Sequence, residues 1–342
     1  MLTPREVPDP APGADEIRIA VYASGVNFPD ILARLGLYPD APKPPVVVGY
    51  EVSGVVDEVG SGVTRLRSGD RVVAFTKFGG YADRVVVPEW MAFPIPAAME
   101  WTAAAAIPVN YATALVALYV MSNLSAGETV LVHGAGGGVG IAATQLARLR
   151  GATIIGTASA AKHAAIREQG VQHAIDYRAA DVTAEVKRLT NGRGVDVVLD
   201  PIGGASFAAS YRLLAPLGRL VMYGVSSIAP GERRSWWRTM TTIVRMPTFK
   251  PLSLMNRNRG VFGLNLGHLW GERRRLVDAM TFLVGEVAAK RLRPVVAQTF
   301  PLDRAAEAHR YMQSRSNIGK VVLTMEREAM AERHRSPEGS RS

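Results

Sequence analysis

The spacing of apolar residues predicts two kinds of structure along the chain. Over roughly the first 100 residues, short β-branched runs separated by glycines predict a compact antiparallel β domain, with strands at 16–23, 46–59, 70–75 and 81–88. From Thr129 onward, apolar runs alternate with amphipathic stretches, and the runs are 129–133, 153–157, 173–176, 195–200, 219–223 and 260–263. Buried strands that alternate with helices build a parallel, doubly wound sheet. The chain is therefore predicted to contain an α/β, Rossmann-type dinucleotide-binding domain.

The segments that follow predict how the chain is divided. After residue 267, a long amphipathic helix at 272–291 leads to a strand at 295–300, a helix at 304–314 and a strand at 320–325. We expect this part to pack back onto the first domain. The predicted division is a β-rich domain from residues 1–108 and 268–327, a dinucleotide-binding domain at 109–267, and a disordered polar tail at 328–342.

The composition excludes several kinds of chemistry. The chain has no cysteine, which rules out disulfides, thiolate nucleophiles and thiolate-bound zinc. The apolar stretch 102–118 is interrupted by Pro108 and Asn110 and is short and rich in alanine, so no transmembrane helix is predicted. The N-terminal sequence MLTPREVPDPAPG has no apolar signal core, which favours a cytoplasmic location.

A glycine-rich motif between a predicted strand and a predicted helix is the strongest sign of a cofactor. Glycines allow a tight turn, and they let backbone N–H groups at the start of a helix approach a pyrophosphate. The alternative is a glycine-rich turn that holds no ligand. The predicted contacts come from Gly134, Gly136, Gly137, Gly138, Val139 and Gly140.

The end of the second strand of this domain indicates which nicotinamide cofactor binds. NAD sites usually carry a carboxylate there for the ribose hydroxyl, whereas this chain reads IGTAS and is followed by Lys162. Ser159, Lys162 and Tyr177 can each contact a 2′-phosphate, which favours NADPH. The alternative is that Ser159 only caps the next helix and that Lys162 lies on its solvated face.

Several motifs resemble those of the zinc-free quinone oxidoreductases of the medium-chain dehydrogenase/reductase superfamily, and within them the vesicle amine transport protein family. They are SGVNFPDILARLGLYP (24–39), PVNYATAL (108–115), VHGAGGGVG (132–140), GTASAAKH (156–163), IDY (175–177), DVVLDPIGG (196–204) and NIGKVVL (317–323). The resemblance implies a GroES-like fold for the first domain and a nicotinamide site in the cleft between the domains. It also implies that no metal binds, because Asn27 and Tyr50 stand where zinc alcohol dehydrogenases have cysteine and histidine ligands. Without a Lewis acid, the expected reaction is hydride transfer to a quinone or an enone, a step that is compatible with specialised metabolism.

The same resemblance indicates two catalytic candidates. Tyr38 lies in a G-x-Y-P segment that in related enoyl reductases is beside the nicotinamide, and its phenol would bind the developing oxyanion; the alternative is a simple turn residue. Asn27 would offer an amide N–H to the nicotinamide carboxamide or to substrate oxygen; the alternative is an Asx-type turn. His133, at the end of the first strand of the dinucleotide domain, is interpreted as structural. Further cofactor contacts are predicted from Asn110 and Thr113, which could instead form a hinge or cap, and from Gly224, Gly263, Asn265 and Asn317.

The net charge of +10 is concentrated in one segment that also contains tryptophans. Residues 226–260, which we call the basic aromatic segment, hold seven basic residues against the single acid Glu232, so the charge does not indicate a nucleic-acid groove. In the subfamily that this chain resembles, a longer connection between the fifth and sixth strands of the dinucleotide domain covers the substrate cleft. A dimer surface would show the same composition, so both alternatives stay open. Peripheral contact with an anionic membrane is a third alternative, which we favour less.

Two further expectations concern function and assembly. The alternative to a reductase is a non-catalytic protein that senses NADPH or binds lipid, since the physiological role of the vesicle amine transport family is not clearly enzymatic. The apolar run 260–264 is predicted to be the uncovered edge strand of the parallel sheet, and related proteins dimerise through this strand. A C2 homodimer is therefore expected.

Overall fold

The computed structural model describes residues 2–228 and 236–325. The predicted tail at 328–342 and residues 229–235 of the basic aromatic segment lie outside this range. The strands are β1 (Glu16–Val26), β2 (Glu51–Val59), β3 (Arg71–Phe75), β4 (Arg84–Pro88), β5 (Ala92–Pro94), β6 (Thr129–His133), β7 (Thr153–Ala158), β8 (His173–Asp176), β9 (Val195–Asp200), β10 (Leu214–Met222), β11 (Gly260–Gly263), β12 (Val296–Pro301) and β13 (Lys320–Thr324).

Helices connect these strands, and the two predicted at 272–291 and 304–314 are found at Arg273–Ala288 and Ala305–Gln313. The α-helices are α1 (Phe28–Arg34), α2 (Trp101–Ala104), α3 (Pro108–Leu115), α4 (Gly138–Leu149), α5 (His163–Gln169), α6 (Val182–Leu189), α7 (Ala205–Arg212), α8 (Trp236–Val244), α9 (Pro251–Arg257), α10 (Arg273–Ala288) and α11 (Ala305–Gln313). A π-helical turn, Val116–Met121, continues α3, and 3₁₀ turns occupy Glu89–Met91, Ala160–Lys162, Leu266–His268 and Leu302–Arg304.

One sheet joins the two ends of the described chain. Its strands follow the order β12-β13-β1-β2-β3-β5, with β4 also paired to β1, and every pair is antiparallel except β12 with β13. The predicted strand at 46–59 begins only at Glu51. The reason is Gly49, whose φ of +105° lies in the left-handed region and turns the chain before the ladder starts.

The second sheet is parallel and has the order β11-β10-β9-β6-β7-β8. From β6 the chain moves outward first through β7 and later, in the opposite direction, through β9. This reversal opens a crevice at the carboxyl ends of the strands, where open α/β sheets bind ligands. The predicted α/β class with a Rossmann sheet and a second β-rich domain is confirmed.

A buried helical stretch lies between the two sheets. In the described residues, Trp101–Met121 is the single helical stretch long and apolar enough to cross a membrane, but 78% of its most apolar window is buried within the fold. Its Tyr111 hydroxyl donates to Gln145 Oε1 of α4 at 3.0 Å. This burial is what a core helix of a folded domain requires, and one apolar cluster runs from Ile17 and Phe75 through α3 to Ile141 and Leu146.

Candidate active site and cofactor cleft

A cavity of about 1160 Å³ runs along the crevice between the two sheets. It begins at the turn after β6, passes α3 and ends against α1 and the loop after β11. The structure brings all the sequence-predicted site residues to its walls: Asn27, Tyr38, Asn110, Thr113, Gly134, Gly136, Gly137, Gly138, Val139, Gly140, Ser159, Lys162, Tyr177, Gly224, Gly263, Asn265 and Asn317.

The turn between β6 and α4 has no room for side chains. Gly134 has a φ of +65°. A Cβ atom on Gly140 would lie 2.3 Å from the Gly134 carbonyl oxygen, and one on Gly138 would lie 2.2 Å from Asn110 Nδ2 of α3. Glycine is therefore required for both the turn and the close approach of α3. The first backbone N–H groups of α4 lack partners within the helix and are at the cavity wall, which suits a pyrophosphate.

A strap formed by residues 317–320 closes over this turn. The Gly319 backbone N–H donates to the Gly136 carbonyl at 2.9 Å, and Lys162 Nζ donates to the Asn317 carbonyl at 2.5 Å. Lys162 is thus partly buried rather than on a solvated face, so that alternative is wrong. An ammonium has three donors, and the two that remain can meet an anion in the cavity.

Two arginines that the sequence analysis did not identify add positive charge beside Lys162. Burial, and after it the charges of Arg178 and Arg315, lower the pKa of Lys162. Arg315 also lines the cavity, whereas no Asp or Glu is found among the described lining residues. Ser159 occupies the N-cap position of the next turn, but its side chain makes no capping hydrogen bond. This end of the cavity is therefore suited to an anion such as a ribose 2′-phosphate.

At the opposite end, Asn27 is held by a buried ion pair. Its Oδ1 accepts from Lys320 Nζ at 2.6 Å, and its Nδ2 donates to Glu51 Oε1 at 2.8 Å and to the Gly25 carbonyl at 3.3 Å. Lys320 and Glu51 are paired with each other, and their side chains are 2% and 0% exposed. Since lysine only donates and a carboxylate only accepts, the two charges fix which way the amide points.

This arrangement corrects the role predicted for Asn27. Both of its amide hydrogens are committed to protein acceptors, so the N–H that was to bind the nicotinamide or substrate oxygen is engaged elsewhere. Glu51 also accepts the backbone N–H of Val109 at 2.7 Å, which ties the network to α3. Sequence reasoning missed Lys320 because its partner Glu51 is far away in the chain, although Lys320 belongs to the NIGKVVL motif.

Two phenols lie next to each other near this network. Tyr38 begins a turn, since its carbonyl accepts from the Ala41 N–H at 3.1 Å, and its phenol lines the cavity. Burial, followed by the charge of Asp40, raises the pKa of Tyr38, so its hydroxyl remains a neutral donor. Tyr50 meets Tyr38 edge-on with ring centroids 6.1 Å apart. Asp40 also pairs with His268 at 2.7 Å, which joins the Tyr38 loop to the loop after β11.

A separate buried group lies behind Tyr50. Asp30 accepts the backbone N–H groups of Asn27 at 2.7 Å and Gly49 at 3.1 Å, and the hydroxyl of Tyr81 at 3.1 Å. Burial nevertheless raises the pKa of Asp30 to about 7. The Tyr81 hydroxyl also lies 3.0 Å from His309 Nε2, and burial lowers the pKa of His309 to about 3.

His133 has a structural role, because both of its ring nitrogens contact protein side chains. Its Nδ1 lies 3.2 Å from Thr157 Oγ1 and its Nε2 lies 3.1 Å from Ser210 Oγ, which donates to Asp200 at 2.7 Å. Burial lowers the pKa of His133, which favours the neutral ring. Asp200 also accepts the Ile202 N–H at 2.7 Å, so this group holds the loop after β9 that lines the cavity.

The predicted cover is not found in the described part of the basic aromatic segment. Among residues 226–228 and 239–260, Ser226 is the one that lines the cavity. Helix α8 instead packs near Gly204, whose Cβ position lies 3.4 Å from the Thr242 side chain. Residues 239–260 therefore fold beside α7 and not across the cleft, and the cover stays a prediction for the rest of the segment.

Comparison with known proteins identifies the family. The alcohol dehydrogenase GroES-like domain matches residues 13–97, and the zinc-binding dehydrogenase model matches residues 169–323. The synaptic vesicle membrane protein VAT-1 homolog of Homo sapiens is 40% identical over 323 residues, which is 94% of this chain and 82% of that protein. The chain belongs to the medium-chain dehydrogenase/reductase family. The predicted recognition, with VAT-1 homologues and quinone oxidoreductases as neighbours, is confirmed.

Solved structures of this medium-chain dehydrogenase/reductase family share the whole fold. Escherichia coli quinone oxidoreductase, crystallised with NADPH, is 31% identical with a TM-score of 0.82, and 94% of each chain is covered. CurK enoyl reductase is 28% identical with a TM-score of 0.80, again over 94% of each chain. The protein is therefore a member of an oxidoreductase family whose relatives include both quinone and enoyl reductases.

The name of one matching family model mentions zinc, but the donor set of this family member does not suit it. The positions that would supply cysteine and histidine hold Asn27, whose amide is committed, and Tyr50, a phenol. Structural and catalytic zinc sites use Cys, His, Asp and Glu. In residues 2–228 and 236–325, no three of these side chains converge to hold a metal.

Proposed function

We propose that this protein is an NADPH-dependent, zinc-independent reductase that transfers hydride to a quinone or to the electron-poor C=C bond of an enone. The observation that carries the proposal is the polarity of the cavity between the two sheets. Its glycine-rich and cationic end suits a phosphorylated dinucleotide, and its other end is apolar and lined by neutral hydroxyls. This difference between the two ends fits a cofactor at the cationic end and a neutral carbonyl compound at the apolar end.

The cofactor half is assigned from the residues present. The N-terminus of α4, with Gly136 to Val139, would hold the pyrophosphate. Ser159, Lys162, Tyr177 and Arg315 would hold the 2′-phosphate, and Gly224, Gly263, Asn265 and Asn317 would line the path toward the nicotinamide. When bound, NADPH supplies the hydride.

The substrate half favours an uncharged molecule. Phe28, Leu32 and Trp270 contribute apolar wall. Lys320 is the cation at this end, and Glu51 neutralises it. An anionic substrate would lose hydration here without gaining an unpaired partner, whereas a neutral enone or quinone would not.

The protein's own residues supply the other half of the reduction. As hydride reaches the β carbon of an enone, the C=C electrons move toward the carbonyl, and the oxygen gains negative charge. Tyr38, kept neutral, donates its O–H to that oxygen, and one proton from the phenol or from water completes the two-electron reduction. The Asn27, Glu51 and Lys320 network does not transfer a proton in this scheme; it keeps the wall rigid.

Substrate-dependent oxidation of NADPH tests the proposal. The purified protein should oxidise NADPH when given menadione, 1,4-benzoquinone or a simple enone such as 1-octen-3-one, and should do so in the presence of a zinc chelator. Tight NADPH binding with no turnover across a broad panel of electrophiles would instead support a non-catalytic NADPH sensor. We place the reductase in the cytoplasm.

A second candidate, association with an anionic membrane surface, is favoured by the exposed side chains of α8 and α9. Met240, Val244, Leu252 and Met255 are 60%, 77%, 72% and 68% exposed, and Arg245, Lys250 and Arg257 lie among them. Apolar residues beside cations suit an anionic bilayer. Co-sedimentation with phosphatidylserine vesicles would support it. The binding should be lost with phosphatidylcholine alone and in 0.5 M salt, where the Debye length falls to about 4 Å and screens the charges.

A further inference from the structure

The hydroxyl of Tyr50 is buried and makes no hydrogen bond of full geometry, although the Tyr38 hydroxyl is near enough for each to shift the pKa of the other. Tyr50 is 6% exposed and lines the cavity. Of the described residues on the cavity wall, it alone carries a buried side-chain N or O atom without a hydrogen bond of full geometry. Leaving a hydroxyl buried and unpaired costs about 1–3 kcal/mol. Phenylalanine would fill the same space without that cost, so the hydroxyl needs another explanation.

The backbone around Tyr50 is anchored by hydrogen bonds, and its ring is packed against a neighbour. The preceding residue Gly49 donates its N–H to Asp30 at 3.1 Å and accepts from Thr76 Oγ1 at 2.9 Å. The Tyr50 carbonyl accepts the Thr76 N–H at 3.0 Å. On one side the ring packs against Phe78, with centroids 5.0 Å apart. The ring therefore presents its hydroxyl at one fixed place.

That place is beside Tyr38. The two rings meet edge-on at 85° with centroids 6.1 Å apart. Tyr38 is the more exposed of the pair, and its hydroxyl is near the loop after β11, only 3.3 Å from the Cβ position of Gly267. A carbonyl compound in the cavity can thus reach the Tyr38 hydroxyl, whereas the Tyr50 hydroxyl is enclosed.

We propose that Tyr50 is a positioning residue for Tyr38: its hydroxyl donates a hydrogen bond to the Tyr38 oxygen when Tyr38 donates its own hydrogen to the oxygen of a bound substrate. The inference rests on the proposed reductase function. No bond to hydrogen breaks at Tyr50. The Tyr50 hydroxyl donates to the Tyr38 oxygen, and the Tyr38 hydroxyl donates to the substrate oxygen.

The physical reason is that a hydroxyl becomes a stronger donor when its own oxygen accepts a hydrogen bond. Tyr38 needs this help, because burial and the nearby Asp40 raise its pKa and make it a weaker acid. Tyr50 can give the help without ionising, since burial, followed by the charge on Tyr38, raises its own pKa. The contact between the two hydroxyls, which lacks full hydrogen-bond geometry in the free protein, is then the part of the site that substrate completes.

The chain contains a matched control. Tyr211 of α7 also has a buried hydroxyl without a partner, but it lies outside the cavity. Tyr211→Phe and Tyr50→Phe remove the same group, a buried phenolic hydroxyl. Both should leave the midpoint of thermal unfolding unchanged or raise it. Only the change at Tyr50 should affect hydride transfer.

The test is a double-mutant cycle on Tyr38→Phe and Tyr50→Phe, read by single-turnover NADPH oxidation with 1-octen-3-one and by NADPH binding. We expect Tyr50→Phe to slow hydride transfer about 5- to 20-fold, as for one hydrogen bond to a developing charge, with NADPH affinity unchanged. In the Tyr38→Phe background it should have no further effect. Tyr211→Phe should keep the full rate.

A second measurement uses p-nitrophenolate, an oxygen anion that resembles the developing enolate, bound to the protein loaded with NADP⁺. Tyr50→Phe should weaken its binding about fivefold, and again not in the Tyr38→Phe background. An unchanged rate in Tyr50→Phe, or losses that multiply in the double variant, would overturn the inference. If Tyr50→Phe weakens p-nitrophenolate binding only when Tyr38 is present, but no substrate is turned over, the reductase is overturned and the inference is kept. If the protein neither binds p-nitrophenolate nor turns over any substrate, both are overturned.

Discussion

Lys162 holds the strap over the cofactor turn and points spare donors at the cavity, so one variant can separate the two roles. We expect NADPH to bind at least tenfold more tightly than NADH, as one or two charge-assisted phosphate contacts worth about 1.5–3 kcal/mol would give. Lys162→Ala should reduce this preference, because NADH never used the phosphate contact. Loss of the Asn317 contact alone would weaken both cofactors equally. Fluorescence titration measures all four affinities.

The exposed Lys187 provides the control for that experiment, since it carries the same charge on α6 away from the cavity. Lys187→Ala should leave both affinities unchanged. Equal binding of NADPH and NADH by the unmodified protein would show that the cationic end of the cavity does not select the phosphate.

Tyr38 is expected to act on the chemical step and not on cofactor binding. Tyr38→Phe should slow hydride transfer to a weakly activated enone by up to about 10²–10⁴-fold, the usual worth of general acid assistance. A quinone should lose less, because its oxygen needs less help. NADPH affinity should stay nearly unchanged, since the contact strengthens only in the transition state. Stopped-flow single turnovers that are equal to those of the unmodified protein for both substrates would remove Tyr38 from the mechanism.

The residues at the two positions where zinc alcohol dehydrogenases have metal ligands predict that this protein binds no zinc. Asn27 has committed its amide to Lys320 and Glu51, and Tyr50 offers only a neutral phenol, so neither is a good zinc ligand. Purified protein should contain no stoichiometric zinc by elemental analysis, and chelators should leave its rate unchanged. One tightly bound zinc per chain would mean that these two positions had been misinterpreted.

Helices α1 and α11 are joined through Tyr81, which contacts Asp30 of α1 and His309 of α11. The titrations of Asp30 and His309 have opposite effects on stability. Asp30 has a folded pKa of about 7, above its ordinary value, so the folded protein holds an extra proton and this contribution to stability is lost as pH rises toward 7. His309 has a folded pKa of about 3, so the unfolded chain holds the extra proton and stability is lost as pH falls below 6.5. Between pH 4 and 6.5 the two slopes nearly cancel.

Removing one partner should reveal the other. Asp30→Asn leaves the His309 slope uncompensated, so the free energy of unfolding of the variant relative to the unmodified protein should fall by about 1.4 kcal/mol from pH 6 to pH 5. Urea unfolding at the two values measures it. A difference between the two proteins that does not change with pH would show that these groups titrate normally in the folded state.

Most elements could be predicted from the sequence, because period and glycine position are local signals. The six strands of the parallel sheet were placed within a few residues, as was the turn at Gly134 to Gly140. The start of β2 was missed because the positive φ of Gly49 depends on its contacts with Tyr81 and Asp30, which are distant in the chain. Helices α8 and α9 were not predicted as separate helices, since the apolar residues of this segment were interpreted as those of a cover.

The site was predicted as a set of residues but not as a set of contacts. Motifs placed Asn27, Lys162 and Tyr38 at the cavity, which the structure also shows. The amide of Asn27 was assigned to a ligand, yet it is used by Lys320 and Glu51, because a long-range ion pair leaves no trace in local spacing. Arg315 was missed for the same reason.

For the whole molecule, the cavity requires both domains in one arrangement. Its walls come from α1 and β13 on one side and from the turns after β6 and β9 on the other. The strap at 317–320 crosses between them, with Gly319 bonded to Gly136. A shift of either domain would therefore separate the phosphate end from the phenols, and it is the assembly of domains that gives the site its polarity.

The last prediction concerns assembly through β11. In the described sheet this strand pairs only with β10, so one of its edges is uncovered, which is a hazard for an apolar strand. Pairing with a twofold-related copy would remove the edge and give a C2 homodimer. Leu264 N–H points inward to the Met222 carbonyl at 2.8 Å, so by alternation the N–H of Val261 points outward. Val261→Pro should then yield a monomer that still binds NADPH, as light scattering and fluorescence titration would show. A monomer at micromolar concentration before any substitution would contradict the dimer, and a variant that stays dimeric would move the interface away from this strand.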